Sequence, residues 1–255
     1  MKRVVVKVGS AVLTQDGSLA LDRMQSLVRF LVELKKNNEV ILVSSGAVSA
    51  GFNKLKLDRT IIKNKQALAA IGQPIVMKQY AREFYVHRTT SAQVLITSAN
   101  LGRDDDIKRI KNTIDTLLEN GVVPVVNEND ATSTLELEVG DNDQLSAYIA
   151  KHTDADMLII LSDIDAYYTS DPRHNSDAKV LKVVSDIPKE ELERTPTPNN
   201  VFATGGIVTK LKAAQYLLDI DKEMFLASGF NLDDVQSYML DSLHVGGTLF
   251  TKRVK

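Results

Sequence analysis

Apolar residues follow two patterns that alternate along this chain. In the first, short runs rich in Val, Ile and Leu are apolar at consecutive positions, which is typical of parallel strands buried on both faces. Six runs of this kind predict strands at residues 3–8, 39–43, 93–97, 122–126, 157–161 and 222–227. In the second, apolar residues follow the 3.6-residue period of a helix, as at residues 24–34 and 107–118. The alternation of the two patterns predicts an α/β fold.

Two α/β architectures accommodate about six strand–helix units, namely a closed (β/α)8 barrel and an open sheet. Residues 47–87 favour the open sheet, because they hold two or more consecutive helical segments, separated near Gly72-Gln73-Pro74, with no strand between them. Residues 132–139 alternate after a polar start as a half-exposed hairpin strand does, which also departs from a barrel. We therefore predict a three-layer αβα sandwich around a mainly parallel open sheet, with ligands bound beyond the carboxyl ends of its strands.

The domain organisation depends on one linker-like stretch, Pro-Thr-Pro-Asn-Asn at residues 196–200. It precedes a helix predicted to open at Thr204-Gly205-Gly206, and the chain that follows is too short to build a second hydrophobic core. We therefore interpret the stretch as a loop and expect residues 1–255 to form a single domain.

Charge and composition narrow the classes of partner. The chain has 31 Lys and Arg against 33 Asp and Glu, and the net charge of −2 argues against a nucleic acid or an acidic membrane as partner. The absence of Cys excludes a disulfide framework, a zinc–thiolate site, an iron–sulfur cluster and a Cys nucleophile. No apolar run approaches the roughly 20 residues of a membrane span, and the amino terminus does not resemble a signal peptide. A cytoplasmic protein is expected.

Polar segments follow the first two predicted strands. Lys7 lies near the end of the first strand and is followed by Gly9, which would let an ammonium and backbone N–H groups approach a phosphate. A strand-end lysine that reaches into solvent is the alternative. After the second strand, Ser44-Ser45-Gly46 opens a helix whose amino terminus could hold a carboxylate or phosphate. Simple capping by Ser is the alternative here.

The densest polar cluster flanks the predicted hairpin. It consists of Asn127-Glu128-Asn129-Asp130 on one side and Gly140-Asp141-Asn142-Asp143 on the other, directly before a helix. Helix capping accounts for one Asp or Asn but not for seven carboxamides and carboxylates on two loops. Such groups can bind the ammonium of a zwitterionic substrate, or hold lysines and a metal ion in place.

A glycine-rich turn precedes the last long helix, at residues 204–210. It is not a Walker A loop, because Thr209 stands where that motif has Gly, and no G-x-G-x-x-G dinucleotide motif occurs. No imidazole base or nucleophilic triad is evident, since the histidines lie outside every polar cluster: His87, His152, His174 and His244. Phosphoryl transfer to a carboxylate fits these constraints, because a carboxylate is already ionised at neutral pH.

In chain order, five of these segments resemble the glutamate 5-kinases of the amino acid kinase family: Lys-Val-Gly-Ser, Ser-Ser-Gly-Ala, Asn-Glu-Asn-Asp, Gly-Asp-Asn-Asp and Thr-Gly-Gly-x-x-Thr-Lys. The first and last are shared more loosely with aspartate, acetylglutamate and uridylate kinases. The pair Asn-Glu-Asn-Asp and Gly-Asp-Asn-Asp is what points to glutamate. The resemblance implies ATP-dependent phosphorylation of the side-chain carboxylate of L-glutamate, the first step of proline biosynthesis, on an amino acid kinase fold.

The resemblance also implies roles for individual residues. Lys7 and Lys210 would neutralise the transferring phosphoryl group, and Asp143 would orient both lysines. Ser45, Asp130 and Asn142 would hold glutamate. Mg²⁺ would bridge the phosphates of ATP, and no residue is assigned as a protein ligand to a metal. The remaining residues assigned to ATP, besides the two lysines, are Gly9, Ser162, Asp163, Thr204, Gly205, Gly206, Ile207, Val208 and Thr209.

The chain also departs from its relatives in places. Many carry a carboxyl-terminal PUA domain, which is not expected here, because only five residues follow Phe250. Residues 164–168 read Ile-Asp-Ala-Tyr-Tyr, where relatives often have Gly before a Leu-Tyr pair. The resemblance further implies a homo-oligomer with proline as feedback inhibitor. The alternatives are a sibling kinase and a nonenzymatic amino-acid sensor, which would normally lose one of the two lysines.

Overall fold

Ten strands and ten helices make up the part of the chain that the computed structural model describes, residues 1–132, 142–193 and 206–253. The strands are β1 (Lys2–Val8), β2 (Thr14–Gln15), β3 (Ser18–Leu19), β4 (Asn38–Ser44), β5 (Ser91–Ile96), β6 (Val123–Glu128), β7 (Met157–Ser162), β8 (Val183–Val184), β9 (Glu223–Ser228) and β10 (Thr248–Phe250). The helices are α1 (Ser10–Leu13), α2 (Leu21–Lys35), α3 (Ala47–Lys54), α4 (Ile62–Val86), α5 (Ser98–Leu101), α6 (Asp104–Glu119), α7 (Asn142–His152), α8 (Lys189–Glu193), α9 (Ile207–Leu218) and α10 (Asp233–Leu240).

Eight of the strands form one open sheet in the order β5-β6-β4-β1-β7-β9-β10-β8. Within the described residues, every pairing in this sheet is parallel except that between β9 and β10. The six predicted strands are all present, as β1, β4, β5, β6, β7 and β9. Because β5 and β8 end the strand order and do not pair with each other, the described strands form no barrel, and the mainly parallel open sheet is confirmed.

Helices cover both faces of the sheet. Val4, Val6 and Val8 of β1 point to one face, where they pack in a core with side chains of α2, α4 and α10. The alternate residue Val5 points to the other face, into a core with side chains of α6, α7 and α9. Because successive side chains of a strand point to opposite faces, a strand buried on both sides is apolar at every position. The three-layer αβα prediction is therefore confirmed.

One expected boundary is wrong. The chain does not break at Gly72-Gln73-Pro74, because α4 continues through Pro74, and the interruption lies earlier, at residues 55–61. Gly72 serves helix packing instead: a Cβ at this position would overlap the carbonyl oxygen of Ala47 in α3. A Cβ at Gly51 would likewise overlap the backbone of Leu68 in α4. These glycines therefore allow α3 and α4 to cross at close distance.

Some expectations fall outside the described residues. The predicted hairpin strand lies there except for Thr132, as does the loop at 196–200. The helix expected from Thr204 begins at Ile207, with Gly206 as its amino-terminal cap. Within the described ranges, no helix has the length and apolarity needed to cross a membrane.

Candidate active site

The carboxyl ends of the parallel strands bring the predicted site residues together. In the sheet register, Val8 of β1 aligns with Ser44 of β4 on one side and with Leu161 of β7 on the other. The chain passes from β1 to β4 in one direction, whereas β7 and β9 lie in the other direction. A crevice outside the carboxyl ends at such a switch point is the usual ligand site of an open α/β sheet.

Two lysines and one aspartate form the centre of the candidate site. Lys7 Nζ lies 2.5 Å from Asp143 Oδ1, and Lys210 Nζ lies 3.1 Å from Asp143 Oδ2. Lys7 comes from β1, Asp143 from the first turn of α7 and Lys210 from the first turn of α9. The structure therefore brings these three predicted residues together, and their catalytic roles stay a prediction.

Burial of this cluster decides between two interpretations of Lys7. Lys7 is 3% exposed, Lys210 is 2% exposed and Asp143 is 0% exposed. The alternative of a strand-end lysine that reaches into solvent is therefore wrong. Two cations around one carboxylate leave a net positive charge in a region of low dielectric, where it attracts an anion more strongly than at the surface.

The turn before α9 supports this cluster. The Thr209 hydroxyl donates a hydrogen bond of 2.8 Å to Asp143 Oδ2 and lies 3.0 Å from the Gly206 carbonyl oxygen. The side chain of Val208 is buried, so Val208 could contact a ligand through its backbone alone. Ile207 is half-buried. Thr204 and Gly205 lie outside the described residues.

Gly9 and Ser162 follow the two central strands. The Gly9 N–H donates a 3.0 Å hydrogen bond to the Leu161 carbonyl oxygen, so this N–H is not available to a phosphate. A Cβ at Gly9 would lie 3.9 Å from Lys7 Nζ, so the glycine keeps the space beside that ammonium open. The buried Ser162 hydroxyl donates to Asp163 Oδ1 at 2.9 Å and accepts a hydrogen bond from the Ile164 N–H. It fixes the turn that leaves β7.

A network of buried amides lies directly beside the lysine cluster. Asn142, the residue before Asp143, directs its Nδ2 group to the Ser44 carbonyl, Ser45 Oγ and Asn127 Oδ1, each at 2.9 Å. Asn127 Nδ2 in turn donates to Gln73 Oε1 at 2.9 Å. Ser45 and Asn142, both assigned to glutamate from the sequence, are thus in direct contact, and their role in binding stays a prediction.

Asp130 lies apart from this network, on a cavity of about 160 Å³. The cavity is lined by Ala47, Ala69, Ala70, Gln73, Pro74, Gln93, Leu95, Glu128, Asn129, Asp130 and Ala131. Burial, together with the nearby Glu128 carboxylate, raises the pKa of Asp130 from 3.8 to about 6, and the Lys65 ammonium opposes this rise. An ammonium bound in the cavity would stabilise the ionised carboxylate.

Two polar residues of α4 that the sequence pattern does not single out also support the site. Gln73, which the local pattern places in a helix break, accepts the hydrogen bond from Asn127. The hydroxyls of Tyr80 and Ser44 lie 2.9 Å apart, and burial raises the pKa of the Tyr80 phenol, which keeps it protonated. The available signal was the spacing: Gln73, Val76 and Tyr80 lie on one buried face of a helix.

Comparison with known structures identifies the fold. An isopentenyl phosphate kinase superimposes with a TM-score of 0.68 at 17% identity, covering 98% of this chain and 100% of that one. A UMP kinase from Bacillus anthracis gives a TM-score of 0.64 at 16% identity, covering 99% of this chain and 97% of that one. At these identities the likeness concerns the fold alone.

Comparison with curated sequences identifies the family. The model of the amino acid kinase family matches residues 2–227. The chain is 49% identical to glutamate 5-kinase of Wolinella succinogenes, with 99% of this chain and 98% of that protein aligned. It is 46% identical to glutamate 5-kinase of Leishmania donovani, over 100% of this chain and 97% of that protein. The chain therefore belongs to the amino acid kinase family and, within it, to the glutamate 5-kinases.

Proposed function

We propose that this protein transfers the γ-phosphoryl group of ATP to the side-chain carboxylate of L-glutamate, giving glutamyl 5-phosphate for proline biosynthesis. The observation that carries the proposal is the buried cluster of Lys7, Asp143 and Lys210 at the carboxyl edge of the sheet. A site of this kind supplies what phosphoryl transfer to an ionised acceptor requires, which is positioning and neutralisation of negative charge.

In this mechanism the two lysines act on the phosphoryl group. Lys7 and Lys210 donate hydrogen bonds to its oxygens as negative charge redistributes in the transition state. Asp143 holds both ammonium groups in place, and Thr209 restrains Asp143 through its 2.8 Å hydrogen bond. The acceptor carboxylate needs no general base, because it is ionised at neutral pH. A catalytic His is therefore not required.

The second half of the site binds glutamate. Ser45 and Asn142 form one wall, joined by their 2.9 Å hydrogen bond. Asp130 supplies the negative charge for the substrate ammonium from the adjacent cavity. Because Asn142 and Asp143 are consecutive on α7, the wall that contacts glutamate is joined directly to the lysine cluster.

Mg²⁺ enters the proposal bound to ATP. Among the described residues, no group of three or more His, Cys, Asp or Glu side chains is placed to hold a metal ion. In this proposal the phosphates of ATP would supply the main ligands, and the ion would neutralise part of their charge. The residues assigned to the nucleotide remain Lys7, Gly9, Ser162, Asp163 and the turn at 204–210. We expect chelation of Mg²⁺ to abolish turnover.

A panel of phosphoryl acceptors tests this function. ADP release is measured with glutamate, aspartate, N-acetylglutamate and uridylate, with the Lys7→Met variant as the inactive control. Of the four acceptors, only glutamate should support ADP release. Comparable kcat/KM for aspartate would assign the protein to a sibling activity, and ligand binding without ADP release would favour an amino-acid sensor.

Proline is proposed as a competitive inhibitor at the glutamate site. It shares the α-carboxylate and ammonium of glutamate but lacks the side-chain carboxylate that reaches the phosphate. Proline should therefore raise the apparent KM for glutamate without lowering the extrapolated kcat. Initial rates over a grid of glutamate and proline concentrations check this. Inhibition that glutamate cannot overcome would place proline elsewhere.

The proposal includes a single kinase domain, a cytoplasmic location and a homo-oligomer. The shared sheet supports the single domain, because both cores pack on the same strands. An exposed apolar pair at the carboxyl end of α4 supports association, with Tyr85 82% and Val86 69% exposed. Light scattering on the purified protein measures the oligomeric state.

A further inference from the structure

The hydrogen bonds between the amide side chains of the site form a series that starts at α4. Gln73 is 8% exposed and Asn127 is 3% exposed, so neither side chain can exchange its hydrogen bonds freely with water. Asn127 Nδ2 donates to Gln73 Oε1, and Asn127 Oδ1 accepts from Asn142 Nδ2. This series of hydrogen bonds therefore links α4 through β6 to the first residue of α7.

The acceptor on Gln73 determines how Asn127 is oriented. An amide has donors at nitrogen and acceptors at oxygen, so Asn127 must turn its nitrogen toward Gln73 Oε1. Its oxygen then faces Asn142 and can be satisfied only by a donor. With this acceptor removed, Asn127 could rotate and place its nitrogen against the nitrogen of Asn142, which would remove one of the three acceptors around Asn142 Nδ2 and set two donors against each other.

The same constraint reaches Asn142, whose amide has its nitrogen among protein acceptors. Asn142 Nδ2 donates to three acceptors on the protein: the Ser44 carbonyl, Ser45 Oγ and Asn127 Oδ1. Asn142 Oδ1 is at the opposite end of the amide and is directed away from these acceptors. Ser45 Oγ accepts from Asn142, so its own hydroxyl hydrogen is free to point elsewhere.

We infer that Gln73 is a positioning residue for the amino-acid substrate. Through Asn127 it holds Asn142 with its oxygen presented as an acceptor to the substrate ammonium, while Ser45 presents a donor. The inference rests on the proposed function, since it assigns glutamate to this wall of the site. Gln73 contributes to ground-state binding and not to the charge that develops on the phosphoryl group.

Two substitutions at Gln73 separate the acceptor from the shape of the side chain. Gln73→Met keeps the length but removes the acceptor, and Gln73→Glu restores an acceptor oxygen. Loss of one buried hydrogen bond changes affinity by about 5- to 100-fold. We therefore expect Gln73→Met to raise the glutamate KM by about tenfold or more, with kcat and the ATP KM within about twofold. Gln73→Glu, which restores the acceptor but adds a carboxyl group to the cavity that Glu128 and Asp130 also line, should give a glutamate KM below that of Gln73→Met.

A matched control on the same helix distinguishes positioning from loss of packing. Val76→Ala removes buried apolar volume from α4 but touches none of the amides. It should lower the Tm and leave the glutamate KM unchanged. Glutamate KM values that rise equally in Val76→Ala and Gln73→Met would overturn the inference.

A second variant tests the link if Gln73→Met does not fold. Asn127→Leu removes the intermediate amide and should also raise the glutamate KM with little change in the ATP KM. An unchanged glutamate KM in Asn127→Leu, or in a folded Gln73→Met, overturns the inference while the proposed function stands. Absence of glutamate-dependent ADP release in the parent protein overturns the proposed function, and this inference with it.

Discussion

At the residue scale, Asp143 is the side chain on which the candidate site depends. It is fully buried and contacts Lys7, Lys210 and Thr209 through its two oxygens. A buried carboxylate is tolerated only when its charge is compensated by partners such as these. The same contacts that make the lysines available to a phosphate therefore also stabilise the fold.

Substitution of either lysine should affect both properties. Lys7→Met or Lys210→Met removes one cation from the phosphoryl site, and we expect kcat to fall by at least ~10²-fold. Because Asp143 is left with one cation, the Tm should fall as well. Steady-state kinetics and thermal unfolding measure the two effects.

A double variant separates catalysis from stability. Adding Asp143→Asn to Lys7→Met removes the uncompensated charge and should recover part of the lost Tm without recovering kcat. A Lys7→Met protein with near-parent kcat would contradict the proposed role of this lysine.

Asp130 differs from Asp143, because the ionised carboxylate that would bind substrate destabilises the fold. Burial and Glu128 raise its pKa from 3.8 to about 6, so the folded state is destabilised as the pH rises from about 4 to 6 and the carboxyl ionises. Asp130→Asn should therefore raise the Tm at pH 7 by about 2 to 5 °C and give no gain below pH 4. The exposed Asp241→Asn should change neither value.

The same variant should weaken substrate binding. The ionised Asp130 carboxylate pairs with the ammonium of glutamate, so Asp130→Asn should raise the glutamate KM more than it lowers kcat. In the parent protein the glutamate KM should rise as the pH falls below about 6, where Asp130 becomes protonated. A KM that is independent of pH in this range would argue against this pairing.

At the element scale, the crossing of α3 and α4 positions the glutamate-binding wall. Ser45 lies just before α3, and Gln73 lies in α4 one residue after Gly72. Gly51 and Gly72 place the two helix backbones in direct contact. The distance between Ser45 and the amides of α4 therefore depends on the absence of two methyl groups.

Gly72→Ala should be strongly destabilising. Its Cβ would overlap the carbonyl oxygen of Ala47, which cannot move without displacing α3. We expect a loss of about 2 to 4 kcal/mol in the free energy of unfolding, measured with urea. Gly102→Ala is the matched control, because its Cβ would lie 3.8 Å from the nearest atom, the Ala99 oxygen, in ordinary contact. Equal stability of the two variants would contradict the close crossing.

At the scale of the whole molecule, the two ends of the parallel strands have different roles. The candidate site lies at the carboxyl ends. At the amino ends, the Arg3 guanidinium contacts Glu39 and Asp115 at 2.7 Å and the Thr153 carbonyl at 2.5 Å. Arg3 thereby joins β1 to β4, to α6 and to the turn after α7.

Arg3→Met should therefore reduce stability without affecting the chemistry. Loss of hydrogen bonds between charged, partly buried groups should cost on the order of 1 to 3 kcal/mol in unfolding free energy. The kcat and both KM values should stay within about twofold of the parent. Lys36→Met, which breaks an exposed pair with Glu33, is the control and should cost less than about 0.5 kcal/mol. A change in the glutamate KM of Arg3→Met would show that contacts at the amino ends of the strands affect the site at their carboxyl ends.

Much of the architecture was determined by the sequence alone. Runs such as Val4-Val5-Val6 predict strands buried on both faces, because only a covered parallel sheet removes every side chain from water. Polar residues that follow such strands, Lys7 and Ser45 among them, predict a site at the carboxyl edge. Family resemblance added the chemistry, through residues adjacent to these strands.

Other features were decided only by the tertiary structure. Pro74 and Gly72 suggest a helix break in the local pattern, but packing against α3 makes the uninterrupted α4 the stable arrangement. The contact between Asp143 and Lys210 joins residues 67 positions apart, and the hydrogen bond between Asn127 and Gln73 joins residues 54 apart. A sequence pattern records which side chains avoid water, whereas partners for buried polar groups are determined by how distant elements pack together.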